Sequence, residues 1–134
     1  MLFDFVFGRR ALLKDPKRLG RWGEIKSERF LVRKGMRTLA RNFRCSCGEI
    51  DLVMAEPDDG VIVFVEVKTR TSEEVFEAEA AVNFDKRKRI ARSAKFFMAT
   101  NKIADRPKRF DIVAVVLGEK GDAVIRHREH AFVP

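Results

Sequence analysis

Two apolar stretches joined by a four-residue turn constrain the fold of this chain more than any other feature. Ile50–Ala55 and Val61–Lys68 have the composition of strands, and the turn between them, residues 57–60, reads Pro-Asp-Asp-Gly. If the turn closes an antiparallel hairpin, Glu56 pairs with Val61, and every later pair along the two strands follows from that one.

This register predicts that acidic residues face each other. Asp51 falls opposite Glu66, and Glu49 falls opposite Lys68, on the face that also carries Val53 and Phe64. The opposite face is apolar throughout, with the pairs Ile50–Val67, Leu52–Val65 and Met54–Val63.

Two opposed carboxylates repel each other unless a proton or a cation lies between them. Mg²⁺ or Mn²⁺ suits such a position, because Mg²⁺ accepts one or two carboxylates together with waters and a phosphate oxygen. Lys68 would project beside this cation and orient a water or stabilise charge on a phosphate. The alternative interpretation is a solvated strand face with cross-strand ion pairs such as Glu49–Lys68.

The rest of the chain predicts an α/β domain with a mixed central sheet flanked by helices, in the order αβββαβ with or without a final strand. Residues 1–16 form an N-terminal arm, and residues 17–134 form a single domain. The further predicted elements are a helix over Lys17–Lys34 capped by Asp15, a strand over Arg37–Arg44, a short helix over Ala78–Val82, a helix from Asn83 or Asp85 to Ala99, a strand over Phe110–Leu117, and an edge strand over Ala123–His127.

One face of the first predicted helix is unusually small. Gly20 and Gly23 lie on it, so the first two turns are expected to press against the sheet, with Glu24 at the edge of the contact. Glu24 is therefore a candidate site residue, although a surface ion pair on the helix is the simpler alternative.

The chain carries a formal net charge of +8, and the excess lies at its N-terminal end. Residues 1–48 hold thirteen Lys or Arg against four Asp or Glu. This asymmetry is typical of a protein with a polyanionic partner, most simply nucleic acid, and an ordinary soluble basic protein is the equal alternative on charge alone. A second basic group is predicted to contact phosphates, and it comprises Arg70, Lys86, Arg87, Lys88, Arg89 and Arg92.

No apolar run approaches the roughly 20 residues of a transmembrane helix. The N-terminus also lacks the features of a secretory signal, so a cytoplasmic protein is expected. Cys45 and Cys47 are two apart and would point to opposite faces of a strand, which predicts two reduced thiols.

Several segments occur together in an order that resembles the bacterial YraN-like family of uncharacterised candidate endonucleases. That family is similar in fold to Holliday-junction resolvases and belongs with the PD-(D/E)xK nucleases. The segments that carry the resemblance are Gly20-Arg21-Trp22-Gly23-Glu24, Asn42-Phe43-Arg44, Gly48-Glu49-Ile50-Asp51-Leu52, Phe64-Val65-Glu66-Val67-Lys68-Thr69-Arg70 and Arg109-Phe110-Asp111.

The resemblance implies a restriction-endonuclease-like core and Mg²⁺- or Mn²⁺-dependent cleavage of DNA phosphodiester bonds. It also implies that Asp51, Glu66 and the main-chain carbonyl of Val67 bind the metal, and that Lys68 is the active-site lysine. Glu24 is implied to be the helix-borne acid, which completes the metal shell or holds a second ion. Two alternatives stay open: a non-catalytic nucleic-acid-binding module, and an interaction subunit in DNA repair or uptake, with a homodimer among the expected partners.

Overall fold

A computed structural model describes residues 2–58, 60–71 and 82–134, with side chains from residue 8 onward. Its elements are α1 (Leu2–Lys14), α2 (Pro16–Arg33), β1 (Arg37–Cys45), β2 (Gly48–Ala55), β3 (Ile62–Arg70), α3 (Phe84–Thr100), β4 (Lys108–Leu117) and β5 (Ala123–Arg128). Residues 78–81 of the predicted short helix lie outside the described ranges.

The strands form one mixed sheet in the order β1-β2-β3-β4-β5. Neighbours are antiparallel except for β3 and β4, which run parallel and are joined through α3. A parallel pair needs a long crossover, which the helix supplies. The predicted α/β class, the mixed sheet and the flanking helices are confirmed, and β5 is the final edge strand that was left open.

The helix ends lie where the capping signals place them. The Asp15 carboxylate accepts hydrogen bonds from the backbone N–H groups of Lys17 and Arg18, at 3.1 and 3.2 Å, and Pro16 opens α2. Gly35, with φ of +101°, follows its C-terminal end. Asn83 caps α3 by accepting from the backbone N–H of Lys86 at 2.9 Å.

The predicted hairpin register is correct near the turn. Ala55 pairs with Ile62 and Leu52 with Val65, while the backbone N–H of Glu56 donates to the Val61 carbonyl at 2.9 Å. The ladder ends at Leu52–Val65, so the expected direct pairs of Asp51 with Glu66 and of Glu49 with Lys68 are not part of it.

Both faces of the hairpin are buried near the turn. Leu52, Met54 and Val65 pack on the side of α2, and Val53 and Phe64 pack on the side of α3. The prediction of a single apolar face is therefore too simple, because the sheet is covered on both sides.

The sequence prediction assigns Ile50 to the wrong face of the hairpin. It packs in the same cluster as Val53 and not with Leu52, so the alternation of β2 changes phase at Asp51. Asn42 of β1 has a left-handed backbone, with φ of +49°, at the level of Asp51. The distortion of both strands at one level explains why strict alternation fails there.

The N-terminal arm is helical, which the sequence analysis did not predict. Leu12 of α1 is buried, and the Arg9 guanidinium donates to the Gly118 carbonyl in the turn after β4 at 2.9 Å. The C-terminal half of α1 is thus attached to the body of the sheet.

Candidate active site

The candidate site lies where β2 separates from β3. Past Val65, β3 keeps its pairing with β4 as far as Arg70, but its other edge has no β2 partner. There the Asp51 carboxylate accepts a hydrogen bond from the backbone N–H of Val67 at 2.8 Å. Because the N–H and C=O of one strand residue point to the same edge, the Val67 carbonyl also faces this gap.

Glu66 is the second carboxylate of the site and is buried, at 8% exposure. Its Oε1 lies 2.6 Å from the Lys86 ammonium and 3.9 Å from the Lys68 ammonium. The sequence predicts Lys68 as a residue of the site, but it predicts Lys86 only as a phosphate contact. The structure therefore adds Lys86, from the first turn of α3, to the candidate site.

Asp51 is influenced by the charges of the other predicted acids even though no ladder joins it to Glu66. Burial, followed by the negative charge of Glu66, raises the pKa of Asp51 to about 7. Glu24 raises this pKa further, while the Val67 N–H and the Lys86 charge oppose the change. Asp51 thus lies in the field of both other predicted acids.

The two lysines differ in how readily each loses its proton. Burial and the neighbouring charge of Lys86 lower the pKa of Lys68. Burial also acts to lower the pKa of Lys86, but the hydrogen-bonded ion pair with Glu66 outweighs burial and raises it. Lys68 is consequently the better proton acceptor of the two, and Lys86 the more persistent cation.

Glu24 reaches the site because α2 approaches β3 closely. A Cβ added at Gly23 would lie 2.9 Å from the Thr69 Cβ, so only glycine permits this approach. Gly20 has open space around it, and the prediction that both glycines form the contact holds for Gly23 alone. Burial raises the pKa of Glu24, and a hydrogen bond with the Asn42 side chain opposes that change.

Asn42 is a site residue that the sequence analysis did not single out. Its side chain contacts Glu24, and its left-handed backbone is one that Asn adopts more readily than most residues. The Asn42-Phe43-Arg44 segment was noted only for its resemblance, and that was the available signal.

Among the residues that the structure describes, no three Asp, Glu, His or Cys side chains are grouped closely enough to hold a metal ion. Glu24, Asp51 and Glu66 influence one another electrostatically but do not form such a group. Any metal at this position would therefore depend on two carboxylates and the Val67 carbonyl.

The remaining residues predicted to contact nucleic acid do not share one environment. Arg87 donates to the Val82 carbonyl at 2.7 Å and lies over the Phe132 ring, so it has a structural role. The Lys88 ammonium lies 4.4 Å from the centre of the Phe84 ring. Arg89 and Arg92 are exposed along α3, and Arg70, at the end of β3, donates to the Thr69 carbonyl at 2.7 Å.

Asp111 organises a separate buried cluster on the α2 side of the sheet. Its carboxylate, with no exposed surface, accepts from Arg109 Nε at 3.1 Å and contacts His127 Nε2 at 2.7 Å. His127 Nδ1 in turn lies 2.8 Å from the Lys34 ammonium. This arrangement gives Asp111 a structural role, because it links the end of α2 to β4 and β5.

Cys45 and Cys47 are free thiols at the turn between β1 and β2. The expectation that they point to opposite strand faces is wrong, because Cys47 lies in the turn and its thiol hydrogen-bonds with Cys45. Cys45 also donates to the Ser93 hydroxyl of α3 at 3.5 Å.

The fold and the site together define a small α/β protein with carboxylates and lysines clustered where two strands separate. Residues 23–115 match the model of the Uncharacterised protein family UPF0102, and the chain belongs to this family. The resemblance to YraN-like proteins is consistent with this membership.

Relatives of the same family come from several bacteria. A UPF0102 protein of Pelobacter propionicus is 37% identical over 118 residues, which are 88% of this chain and 84% of the relative. One from Roseiflexus castenholzii is 40% identical over 116 residues, 85% of this chain and 92% of the relative. The solved structure of Pyrococcus furiosus SfsA in complex with Ca²⁺ is similar only at a TM-score of 0.33 and 12% identity, over 90% of this chain and 63% of that one.

No helix of the described residues is both long and apolar enough to cross a membrane. The cytoplasmic location and the homodimer stay predictions.

Proposed function

We propose that this protein is a divalent-metal-dependent endonuclease that hydrolyses phosphodiester bonds in DNA. The proposal is carried by two contacts at the gap between β2 and β3: Asp51 is bound to the Val67 N–H, and Glu66 lies beside two lysines. The charges of Glu66 and Lys86 both act on Asp51. We further infer that the mixed sheet around this gap is a restriction-endonuclease-like core.

The donor atoms of the site fit Mg²⁺ or Mn²⁺. Asp51 and Glu66 offer carboxylate oxygens, and the Val67 carbonyl faces the same gap. Mg²⁺ needs only one or two carboxylates, because it keeps several of its waters. Burial, and after it the negative charge of Glu66, raises the pKa of Asp51, and a bound cation would favour the ionised carboxylate against both effects. When bound, the metal would polarise the phosphate and lower the pKa of a coordinated water.

The side chains of the chain supply the remaining roles. Lys68, whose pKa is lowered by burial, is suited to orient the attacking water and accept its proton. Asp51 is held in place by the Val67 N–H, so its free oxygen has a fixed direction. Glu24 approaches from α2 and, with its raised pKa, would hold a proton or an ordered water beside the site.

DNA would be held by positive charge around the site. The chain has a net charge of +8, and Arg89 and Arg92 are exposed on α3 beyond Lys86. Each phosphate neutralised by Lys or Arg releases condensed counterions, so binding should weaken steeply as salt rises. Arg70 lies at the end of β3, beyond Lys68, and is a further candidate for phosphate contact.

A cleavage panel tests the proposal. Purified protein is incubated with linear duplex, single-stranded, flapped and four-way DNA in Mg²⁺, in Mn²⁺ and in EDTA. Cleavage of at least one form, dependent on metal, is expected for the wild type and is expected to disappear in Asp51→Asn and Lys68→Ala. Lys120→Ala is the matched control, because Lys120 is exposed in the turn after β4.

Two results would contradict the proposal. Cleavage by contaminant-free protein that needs no metal and persists in Asp51→Asn would show that the activity does not come from the proposed site. Tight, salt-dependent DNA binding without cleavage of any form would favour the non-catalytic nucleic-acid-binding module instead.

A further inference from the structure

Lys86 differs from the neighbouring basic residues of α3 in what it contacts. Its ammonium lies 2.6 Å from Glu66 Oε1, at the candidate site. Lys88, two residues later, lies over the Phe84 ring instead. Of these two lysines, only Lys86 is paired with a carboxylate that the proposed function assigns to metal binding.

The ion pair is buried on the Glu66 side and partly exposed to solvent on the Lys86 side. The Glu66 side chain is 9% exposed, whereas the Lys86 side chain is 34% exposed. A short ion pair between a buried carboxylate and an ammonium is a strong hydrogen bond. A lysine, however, carries its charge on a flexible four-carbon stem, so the ammonium can turn outward without moving the helix.

A divalent cation on Glu66 and the Lys86 ammonium would repel each other. Mg²⁺ binds carboxylate oxygens at about 2.0–2.1 Å, so a cation on this carboxylate would lie within a few ångströms of the ammonium. Both charges are positive and water is largely excluded from Glu66, so their repulsion is weakly screened. A negative phosphate beside the site would offer Lys86 another partner.

We propose that Lys86 is an exchangeable counter-ion of Glu66. It pairs with Glu66 until a DNA phosphate arrives, then moves to the phosphate and leaves Glu66 to the divalent cation. This inference rests on the proposed function and adds to it a coupling between the two ligands. Metal and DNA would each raise the affinity for the other, because binding effects of this kind are reciprocal.

Mn²⁺ titration by calorimetry, without DNA, tests whether the charge of Lys86 opposes the binding of a divalent cation at Glu66. The variant is Lys86→Met, which keeps most of the length of the side chain and removes the charge. A charge a few ångströms away changes the proton affinity of a group by about one to three decades, and a divalent cation is subject to the same repulsion. Lys86→Met should therefore bind Mn²⁺ at least about tenfold more tightly than the wild type.

Two controls separate this effect from a general change in charge or folding. Lys88→Met removes the same charge from the same helix and should leave Mn²⁺ affinity within about twofold, because Lys88 does not contact Glu66. Lys86→Arg keeps the positive charge and should restore affinity close to that of the wild type. Thermal unfolding of each variant establishes that it is folded.

The coupling between metal and DNA is tested in a Lys68→Met background, in which the DNA is expected to stay uncleaved. A short duplex should raise Mn²⁺ affinity in this background and should raise it less when Lys86→Met is added. An oligonucleotide with neutral methylphosphonate linkages should produce no increase, since it offers Lys86 no anionic partner.

The outcomes distinguish the inference from the proposed function. If the wild type binds Mn²⁺ at Asp51 and Glu66 but Lys86→Met binds it equally or more weakly, the inference is wrong and the proposed function stands. If no variant binds Mn²⁺, both are wrong. Equal coupling to DNA with and without Lys86 would also overturn the inference.

Discussion

Replacing Asp51 with Asn should stabilise the protein above neutral pH, although Asp51 belongs to the proposed active site. The folded chain raises the pKa of Asp51 from an ordinary 3.8 to about 7, mainly through burial and the charge of Glu66. Between these two values the folded chain holds a proton that the unfolded chain has lost. Stability therefore falls as pH rises from about 4 to 7.

The size of the effect follows from the two pKa values. Each pH unit between them is worth about 1.4 kcal/mol, so ionising Asp51 in the folded chain costs roughly 4 kcal/mol above pH 7. Asn avoids this cost and keeps an oxygen that can accept from the Val67 N–H. We expect Asp51→Asn to gain roughly 2 to 4 kcal/mol at pH 8 and almost nothing at pH 4.

Denaturant unfolding in EDTA, at several pH values between 4 and 8, measures this difference. For a chain of 134 residues, the gain corresponds to a rise in Tm of about 10 °C at pH 8. Asp105→Asn is the control, because Asp105 is exposed, and it should parallel the wild type. The reasoning is refuted if Asp51→Asn follows the same pH dependence as the wild type, or if it is the less stable protein at pH 8.

Three further variants test other parts of the structure. Gly23→Ala should cost about 1 to 3 kcal/mol in the free energy of unfolding, because its Cβ would overlap Thr69. Gly20→Ala should instead stabilise the protein by up to about 1 kcal/mol. An equal effect of both variants in thermal unfolding would contradict the close contact. Asp111→Asn should lose roughly 3 kcal/mol in urea unfolding at pH 7, since it breaks a buried ion pair, and a loss below about 0.5 kcal/mol would show that the cluster is not stabilising. Arg89→Gln should reduce the salt dependence of DNA binding by about one phosphate contact in fluorescence anisotropy, and an unchanged slope would exclude Arg89 from the interface.

The register of the hairpin could be predicted because the turn specifies it. Four residues of turn chemistry fix the pairs from Ala55–Ile62 to Leu52–Val65, and these are the pairs observed. The extension of the ladder to Asp51 could not be predicted from the turn. At that level a side chain takes over the hydrogen bond to the Val67 N–H, and strict alternation ends.

For the helices too, the sequence predicts the local interactions but not the contacts between distant elements. Caps at Asp15 and Asn83 are local interactions between residues two or three apart, so the sequence indicates them directly. The ion pair between Lys86 and Glu66 joins residues of different elements, and nothing local distinguishes Lys86 from Lys88. Its position depends on how α3 crosses the sheet, which the sequence pattern does not specify.

Anomalous diffraction from crystals grown with Mn²⁺ and a short DNA would test the central claim, a metal site at Asp51 and Glu66, most directly. The account predicts a Mn²⁺ peak bound by both carboxylates and the Val67 carbonyl, with the Lys86 ammonium on a phosphate and no longer at 2.6 Å from Glu66. Well-ordered crystals with DNA bound, no Mn²⁺ at these residues and Lys86 still paired with Glu66 would contradict it.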